Sequence, residues 1–205
     1  APHGLTPTPL FDLDYISQQI DGAPPENLLD FLSDSRFQAI DPHVMVSKRH
    51  YRTIYVDIDN AGVDPFAHFL IHGWREKRGT HPFFRRIEYG RFDFPEICDV
   101  SEFNRRFLAA CREPILAQRQ PMFDVSHYTE ELGAERGIAN PMQHFLTVGW
   151  RDGVSPFPLF DMGFYQTQNS EAPAGRNPYI EYLSDLSHRF APSQSFDPKY
   201  YLQIV

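Results

Sequence analysis

Pairs of an aromatic residue and leucine recur along the chain at nearly constant spacing. The pairs begin at Phe31, Phe69, Phe107, Phe145 and Tyr182, at successive steps of 38, 38, 38 and 37 residues. Apolar residues around most of the pairs follow the i, i+3, i+4 and i+7 spacing of one helical face. The pattern predicts an internal repeat built from short amphipathic helices.

Polar residues mark where these helices begin. Asp64, Asn140 and Asn177 each stand directly before a proline. Asp and Asn are strong N-cap residues, and proline at the first helical position loses no hydrogen bond. Gly73 and Gly149 close the apolar stripe, and we expect each to adopt a backbone conformation that other residues resist.

A second pattern precedes each of these helices: an apolar residue, Asp and, three or four residues later, Tyr. Its capping residues are predicted to be Asp12, Asp124, Asp161 and Asp197, whereas the copies that start at 46 and 84 keep the Tyr without the Asp. Proline-rich connectors separate the copies. Proline favours extended backbone and stops one helix from continuing into the next. Each copy is therefore interpreted as helix, loop, helix.

The two patterns divide the chain into repeats at 11–45, 46–83, 84–122, 123–159 and 160–195, with a partial repeat at 196–205. Helices this short are marginal alone and have to bury their stripes against neighbouring repeats. The predicted fold class is all-α: a tandem array of helix–loop–helix repeats of about 37 residues, stacked as an elongated solenoid-like body in a single region over 1–205. The third repeat matches the two sequence patterns less well than the other repeats do. Because the chain opens inside a connector and closes inside a first helix, we expect a fragment of a longer polypeptide.

Composition excludes several classes of function. The 19 Lys and Arg against 27 Asp and Glu give a formal charge of −8, which argues against nucleic-acid binding by phosphate neutralisation. No apolar stretch is long enough to span a membrane, and the first residues lack a secretion signal. Cys98 and Cys111 are too few for a disulfide framework, which favours a reducing compartment. We expect a cytoplasmic protein.

The complete cycle resembles the tandem repeats of large bacterial polysaccharide-biosynthesis glycosyltransferases. It runs Pro-Leu-Phe-Asp-x-x-x-Tyr, then Gly-x-Asn/Asp-Pro-x-x-His-Phe-Leu-x-x-Gly-Trp-Arg-Asp/Glu, then Pro-x-Pro-Leu-Phe-Asp, and it matches best over 46–84 and 123–160. Similar repeats also occur in some secreted calcium-binding repeat proteins. The resemblance implies a non-catalytic helical region attached to a sugar-transferring enzyme at the cytoplasmic face of the bacterial inner membrane. It supplies no catalytic residue.

Basic residues gather where the second repeat passes into the third. The cluster consists of Arg75, Lys77, Arg78, Arg85, Arg86 and Arg91. On an acidic protein such a cluster can bind a phosphate, an anionic glycan or a membrane surface. The alternative is a solvated face that pairs with acidic residues of a neighbouring repeat.

Trp74 and Trp150 each follow the closing glycine of a helix. Their aromatic faces could stack on sugar rings. An aromatic residue at a fixed repeat position more often packs between repeats, where it buries a large apolar area. We interpret both as packing residues and keep sugar binding as the alternative.

Two patterns suggest metal binding. Asp57 and Asp59 match the Asp-x-Asp with which many glycosyltransferases hold a divalent metal and a nucleotide diphosphate, and carboxylates suit a hard cation. Here they fall at the end of a predicted first helix rather than at the end of a strand. His68 and His72 lie one helical turn apart, but position 148 of the matching helix is valine. We therefore predict no metal and no cofactor, with Asp57 and Asp59 as the alternative.

Three functions remain open. The first is a scaffold that holds a glycosyltransferase catalytic domain relative to a protein partner or a glycan, with peripheral membrane contact through the basic residues. The second is direct participation in sugar transfer through Asp57 and Asp59. The third is a secreted or surface adhesion array. The motifs of nucleophilic catalysis and of phosphate-cradling glycine loops are missing from the sequence.

Overall fold

The described chain is helical. The computed structural model describes residues 8–84, 99–111, 121–133, 137–169, 175–187 and 189–196. Within these ranges there is no β-strand, and the only β contacts are three isolated bridges between residues three apart. No helix there combines the length and the apolar character needed to cross a membrane. The all-α prediction is confirmed for these residues.

The chain divides into two compact parts, Ala1–Ala110 and Cys111–Val205, called here the N-terminal and C-terminal parts. The helices of the N-terminal part are α1 (Leu13–Ser17), α2 (Leu28–Ser33), a 3-10 turn (Ser35–Phe37), α3 (Lys48–Ile54), α4 (Val56–Asn60), α5 (Pro65–His68) with its π-helical continuation (Phe69–Gly73), and α6 (Val100–Cys111). Those of the C-terminal part are α7 (Val125–Leu132), α8 (Pro141–His144) with its π-helical continuation (Phe145–Gly149), α9 (Met162–Gln168) and α10 (Pro178–Ser184).

The predicted N-caps are confirmed wherever the structure describes them. The carboxylates of Asp12, Asp124 and Asp161 accept a backbone N–H three residues later at 2.8–3.0 Å. Ser47 does the same at the start of α3, where the sequence lacks the Asp. The second helices are capped by Asp64, Asn140 and Asn177. Asp197 lies outside the described residues. Side-chain acceptors satisfy N–H groups that have no partner within the helix.

The connectors are compact turns, so the prediction of extended backbone is wrong there. In each turn a carbonyl accepts the N–H of the residue three positions later, at 2.8–3.4 Å. The turns run from Thr8 to Phe11, His43 to Val46, His81 to Phe84, Phe157 to Phe160 and Ser193 to Phe196. Proline fits within such turns because its fixed φ suits a tight turn.

Consecutive connectors are joined by backbone hydrogen bonds of 2.8–2.9 Å. In each bond, the N–H of the residue that caps one first helix donates to the carbonyl directly before the next turn. The pairs are Asp12 with Pro42, Ser47 with Thr80, Asp124 with Pro156 and Asp161 with Pro192. Every equivalent position that the structure describes therefore makes the same main-chain contact.

Glutamine adds a second bond at the far end of two first helices. Gln19 Nε2 donates to the Asp41 carbonyl at 2.9 Å, and Gln168 Nε2 donates to the Ala191 carbonyl at 3.1 Å. Each glutamine lies seven residues after its capping Asp. In these two repeats the first helix is thus held to the following connector at both ends.

Aromatic side chains of the predicted stripes form the core of each part. The rings of Phe31, Phe66 and Phe69 are at most 1% exposed in the N-terminal part, as are those of Phe145 and Tyr179 in the C-terminal part. Burying each such ring contributes about 2–3 kcal/mol. The stripe predicted from the i, i+3 and i+4 spacing therefore faces inward.

The third repeat contacts the connector that precedes the first repeat. Asn104 in α6 is fully buried and donates through Nδ2 to Thr8 Oγ1 at 2.7 Å. In the equivalent position other repeats carry the buried aromatic side chains of Phe66 and Tyr179. A strictly nearest-neighbour array does not include a contact between residues 96 positions apart. The divergence of the third repeat therefore has a local consequence, a polar contact inside the core.

Candidate functional site

Two groups that the sequence assigned to different sites bind each other. The Arg78 guanidinium donates to both carboxylate oxygens of Asp57, at 3.0 and 2.8 Å, and its Nε donates to Glu76. The same guanidinium lies over the Tyr55 ring at 4.7 Å. The hydrogen bonds from Arg78 lower the pKa of Asp57, and those from Asp57 and Glu76 raise the pKa of Arg78. Both groups stay charged and paired.

This pairing changes the interpretation of the Asp-x-Asp pattern. Both Asp57 oxygens already accept hydrogen bonds, and Asp59 lies exposed on the same short helix. In the part of the chain that the structure describes, no group of three or more His, Cys, Asp or Glu residues is arranged to hold a metal ion. The arrangement favours an ion pair over a cation site.

The tryptophans are packed, as predicted. Trp74 and Trp150 are 6% and 7% exposed. Each is covered by the next residue, because the guanidinium groups of Arg75 and Arg151 lie 4.5 and 4.4 Å from the ring centres. Trp74 also contacts Phe103, with ring centroids 5.5 Å apart. A cation over an aromatic face gives a modest attraction and occupies the face that a sugar would need.

The predicted basic cluster is therefore only partly available. Arg75 lies over a ring, Arg78 binds two carboxylates, and Lys77 is exposed. Arg85, Arg86 and Arg91 lie outside the described residues. Around Arg78 the positive charge is balanced by the carboxylates of Asp57 and Glu76, so this surface carries no concentrated positive charge.

Lys77 has an unusual backbone. Its φ is 55°, the only positive φ at a non-glycine residue in the described ranges, and the equivalent Gly153 has φ 77°. In both copies this residue follows the π-helical segment, and its N–H donates to the carbonyl of the preceding tryptophan at 3.3 Å. Left-handed backbone at a helix end is favourable for glycine and costs other residues energy.

Replacing Lys77 with glycine is therefore expected to stabilise the N-terminal part by about 1 kcal/mol. Urea unfolding followed by Trp74 fluorescence, in a Trp150→Phe background, measures the change. Lys77→Ala is the control, since alanine removes the charge but keeps the strain. An equal gain in the alanine variant would contradict the backbone explanation.

Sequence reasoning missed a contact that links the two helices of a repeat. The hydroxyl of Tyr51 bonds His68 Nδ1 at 2.9 Å, and the hydroxyl of Tyr128 bonds His144 Nδ1 at 2.7 Å. Burial raises the pKa of both tyrosines, so each hydroxyl keeps its proton. His68 and His144 thus contribute a polar contact between the two helices of their repeats.

Both closing glycines lie where a tyrosine hydroxyl approaches the backbone closely. The expectation that their backbone is left-handed is wrong. Neither Gly73 nor Gly149 has a positive φ, and the helix continues through both as a π-helix. A Cβ built on Gly73 would overlap the Tyr51 hydroxyl, and one built on Gly149 would overlap the Tyr128 hydroxyl. Glycine is required because a neighbouring hydroxyl approaches the backbone closely.

A buried lysine is the second feature that the sequence reasoning missed. Lys48 is 1% exposed, and its Nζ contacts Asp64 at 2.8 Å and the Phe37 carbonyl at 3.1 Å. It also lies 4.3 Å from the centre of the Phe31 ring. Burial lowers the pKa of Lys48, and Asp64 partly opposes this. The signal for it in the sequence was a charged residue at a repeat position that is apolar in other copies, for example at Met162.

No protein-family model, curated protein or solved structure gave a significant match to this chain. The function is therefore argued from the sequence pattern and from the contacts described above.

Proposed function

We propose that this chain is a non-catalytic scaffold, an interaction region attached to a bacterial glycosyltransferase of cell-surface polysaccharide assembly. The observation that carries the proposal is the bidentate ion pair between Asp57 and Arg78. Metal-dependent sugar transfer needs carboxylates free to bind a cation that holds the nucleotide diphosphate. In the pair formed by Asp57 and Asp59, both oxygens of Asp57 accept hydrogen bonds from Arg78.

The same argument extends to sugar binding by aromatic faces. The two tryptophans are buried and covered by arginines of their own repeats. Side chains that could carry chemistry thus contribute to packing between the helices of a repeat. A region of this kind offers extended surface rather than a reaction centre.

The proposed arrangement is a solenoid-like stack of helix–loop–helix repeats. Its support is the set of equivalent backbone bonds between consecutive connectors, together with the cap residues that recur in each repeat. Each of these bonds joins the first helix of a repeat to the connector that ends the same repeat. Stacked repeats of one shape produce a long surface for a partner. We assign that surface to a protein partner or to the growing glycan.

The link to sugar transfer comes from the repeat pattern, which resembles that of bacterial polysaccharide-biosynthesis glycosyltransferases. On this proposal the chain acts in the cytoplasm, at the inner membrane, and holds an attached catalytic domain close to its partners. It needs no cofactor of its own.

Calorimetric titration with uridine diphosphate sugars and Mn²⁺ separates scaffold from enzyme. We expect no binding heat for the wild-type chain, because Asp57 is held by Arg78. Asp57→Ala and Asp14→Ala serve as a pair, since Asp14 belongs to the other Asp-x-Asp of the chain. Micromolar binding that is lost only in Asp57→Ala would overturn the proposal.

A deletion tests the positive side of the proposal. Removing the codons for 8–196 from the encoding gene should leave sugar transfer by the remaining polypeptide intact in vitro. Polysaccharide at the cell surface should fall several-fold, because the enzyme is no longer held near its partners. Loss of transfer in vitro, or unchanged surface polysaccharide, would contradict the scaffold function.

A further inference from the structure

A buried histidine lies in the turn that begins the third repeat. His81 is 1% exposed, and its Nδ1 accepts the N–H of Phe83 at 3.2 Å. Its carbonyl accepts the N–H of Phe84 at 2.9 Å. Its Nε2 is buried without a hydrogen-bond partner among the residues that the structure describes. The imidazole is thus neutral, with the proton on Nε2, because Nδ1 has to remain an acceptor.

The same turn position is occupied by other acceptors elsewhere in the chain. Thr8 Oγ1 accepts the N–H of Leu10 at 3.3 Å, and His43 Nδ1 accepts the N–H of Met45 at 3.0 Å. The corresponding residue of the last described turn is Ser193. The turn that begins at Phe157 has no side-chain acceptor at this position. The turn thus forms with or without one, and it does not need a group that titrates near neutral pH.

The His81 turn is also joined to the preceding connector. The carbonyl of Thr80 accepts the N–H of Ser47 at 2.8 Å, and Thr80 Oγ1 donates to the Met45 carbonyl at 3.0 Å. A change that opens the turn at His81 consequently strains this joint, the Ser47–Thr80 bond between the connectors on either side of the second repeat.

We infer that His81 makes this joint acid-labile: a proton on Nδ1 removes the acceptor for Phe83, places an unpaired cation in the core and opens the turn. A buried imidazolium without an acceptor is unfavourable, so the proton is taken up in the open state. The inference does not depend on the proposed scaffold function, because it concerns only the stability of the joint.

The surrounding charges favour the neutral form. Among the described residues, the titratable groups that act on His81 are His50, which belongs to α3, and His43, which belongs to the preceding connector. A positive charge on either histidine opposes a positive charge on His81.

The direction of the pH effect follows from these contacts. Burial holds the pKa of His81 well below the usual 6.5, and the two neighbouring histidines lower it further. The open turn binds a proton with a pKa near 6.5, whereas the closed turn does not. Below pH 6.5 the open state binds more protons, so the stability of the closed joint falls as the pH falls.

Amide hydrogen exchange measured by NMR on the full chain tests this inference. After correction for intrinsic exchange, protection of the Phe84 and Ser47 amides should fall about 30-fold between pH 7.5 and pH 5.0. The Phe160 and Asp161 amides make the equivalent bonds in the C-terminal part, where the turns contain no histidine, and should keep their protection.

The matched variant is His81→Thr, because Thr8 fills the same turn position with a neutral acceptor. We expect it to abolish the acid response of the Phe84 and Ser47 amides while preserving their protection at pH 7.5. His72→Gln, which removes an exposed histidine, should leave the response unchanged. Should threonine disrupt the turn, His81→Asn supplies a second neutral acceptor.

Any of three results would overturn the inference. One is equal protection of the Phe84 amide in the wild type at pH 7.5 and pH 5.0. Another is a full acid response that persists in a folded His81→Thr or His81→Asn chain. A His81 ring resonance that titrates near pH 6.5 in the closed state would likewise show that the imidazole is not excluded from solvent.

Discussion

Gly149→Ala is expected to destabilise the C-terminal part by about 1–3 kcal/mol, the usual cost of overpacking a close contact. The new methyl group would overlap the hydroxyl of Tyr128, which is fully buried and bonded to His144 Nδ1. A buried ring cannot turn aside as an exposed side chain can. Urea unfolding followed by Trp150 fluorescence, in a Trp74→Phe background, gives the change in free energy.

Two controls isolate the cause. Tyr128→Phe removes the overlapping hydroxyl, so adding Gly149→Ala to that background should cost much less. Gly163 lies in α9, and a Cβ built on it would come no closer than 3.6 Å to the Asp161 carboxylate, an ordinary contact distance. Its replacement by alanine should therefore stabilise the helix by about 0.5–1 kcal/mol. If Gly149→Ala cost as much in the Tyr128→Phe background as in the wild type, the hydroxyl would not be the reason for the glycine.

Asp64→Asn is expected to destabilise the N-terminal part by about 2–3 kcal/mol at pH 7, since it leaves Lys48 buried without its carboxylate. The substitution keeps the helix cap, because asparagine caps the equivalent helices at Asn140 and Asn177. Loss of charge pairing is thereby separated from loss of capping. Trp74 fluorescence in a Trp150→Phe background follows the unfolding.

The coupled variant is Lys48→Met, which places at this position the residue type found at Met162. In the Lys48→Met background, Asp64→Asn should be nearly neutral, so the two changes should be strongly non-additive. Equal costs of Asp64→Asn with and without the lysine would contradict a stabilising pair between Lys48 and Asp64.

The local features of this fold could be predicted from sequence. A cap depends on a side chain and on backbone N–H groups two or three residues later. The capping role of Asp124 and Asn140 can therefore be predicted from a few neighbouring residues. The inward stripe of Phe66 and Phe69 is visible for the same reason, because helical spacing fixes which residues share a face.

Features that depend on contacts between distant residues could not be predicted in this way. Gly149 is required by a tyrosine 21 positions earlier, and Arg78 is neutralised by an aspartate at the same separation. A charge cluster in the sequence contains no information about which acid will face it. The sequence pattern allowed a basic surface or a face paired with acids of a neighbouring repeat. Arg78 is paired, but with Asp57 and Glu76 of its own repeat.

The recurring hydrogen bond between connectors joins main-chain atoms, and this has an evolutionary consequence. Amide and carbonyl groups are common to all residues, apart from the missing N–H of proline, so the joint constrains the length of a duplicated segment more than its composition. A newly duplicated copy of the right length inherits a compatible junction at once. Its side chains are then free to diverge toward new tasks, as Asn104 and Lys48 have done.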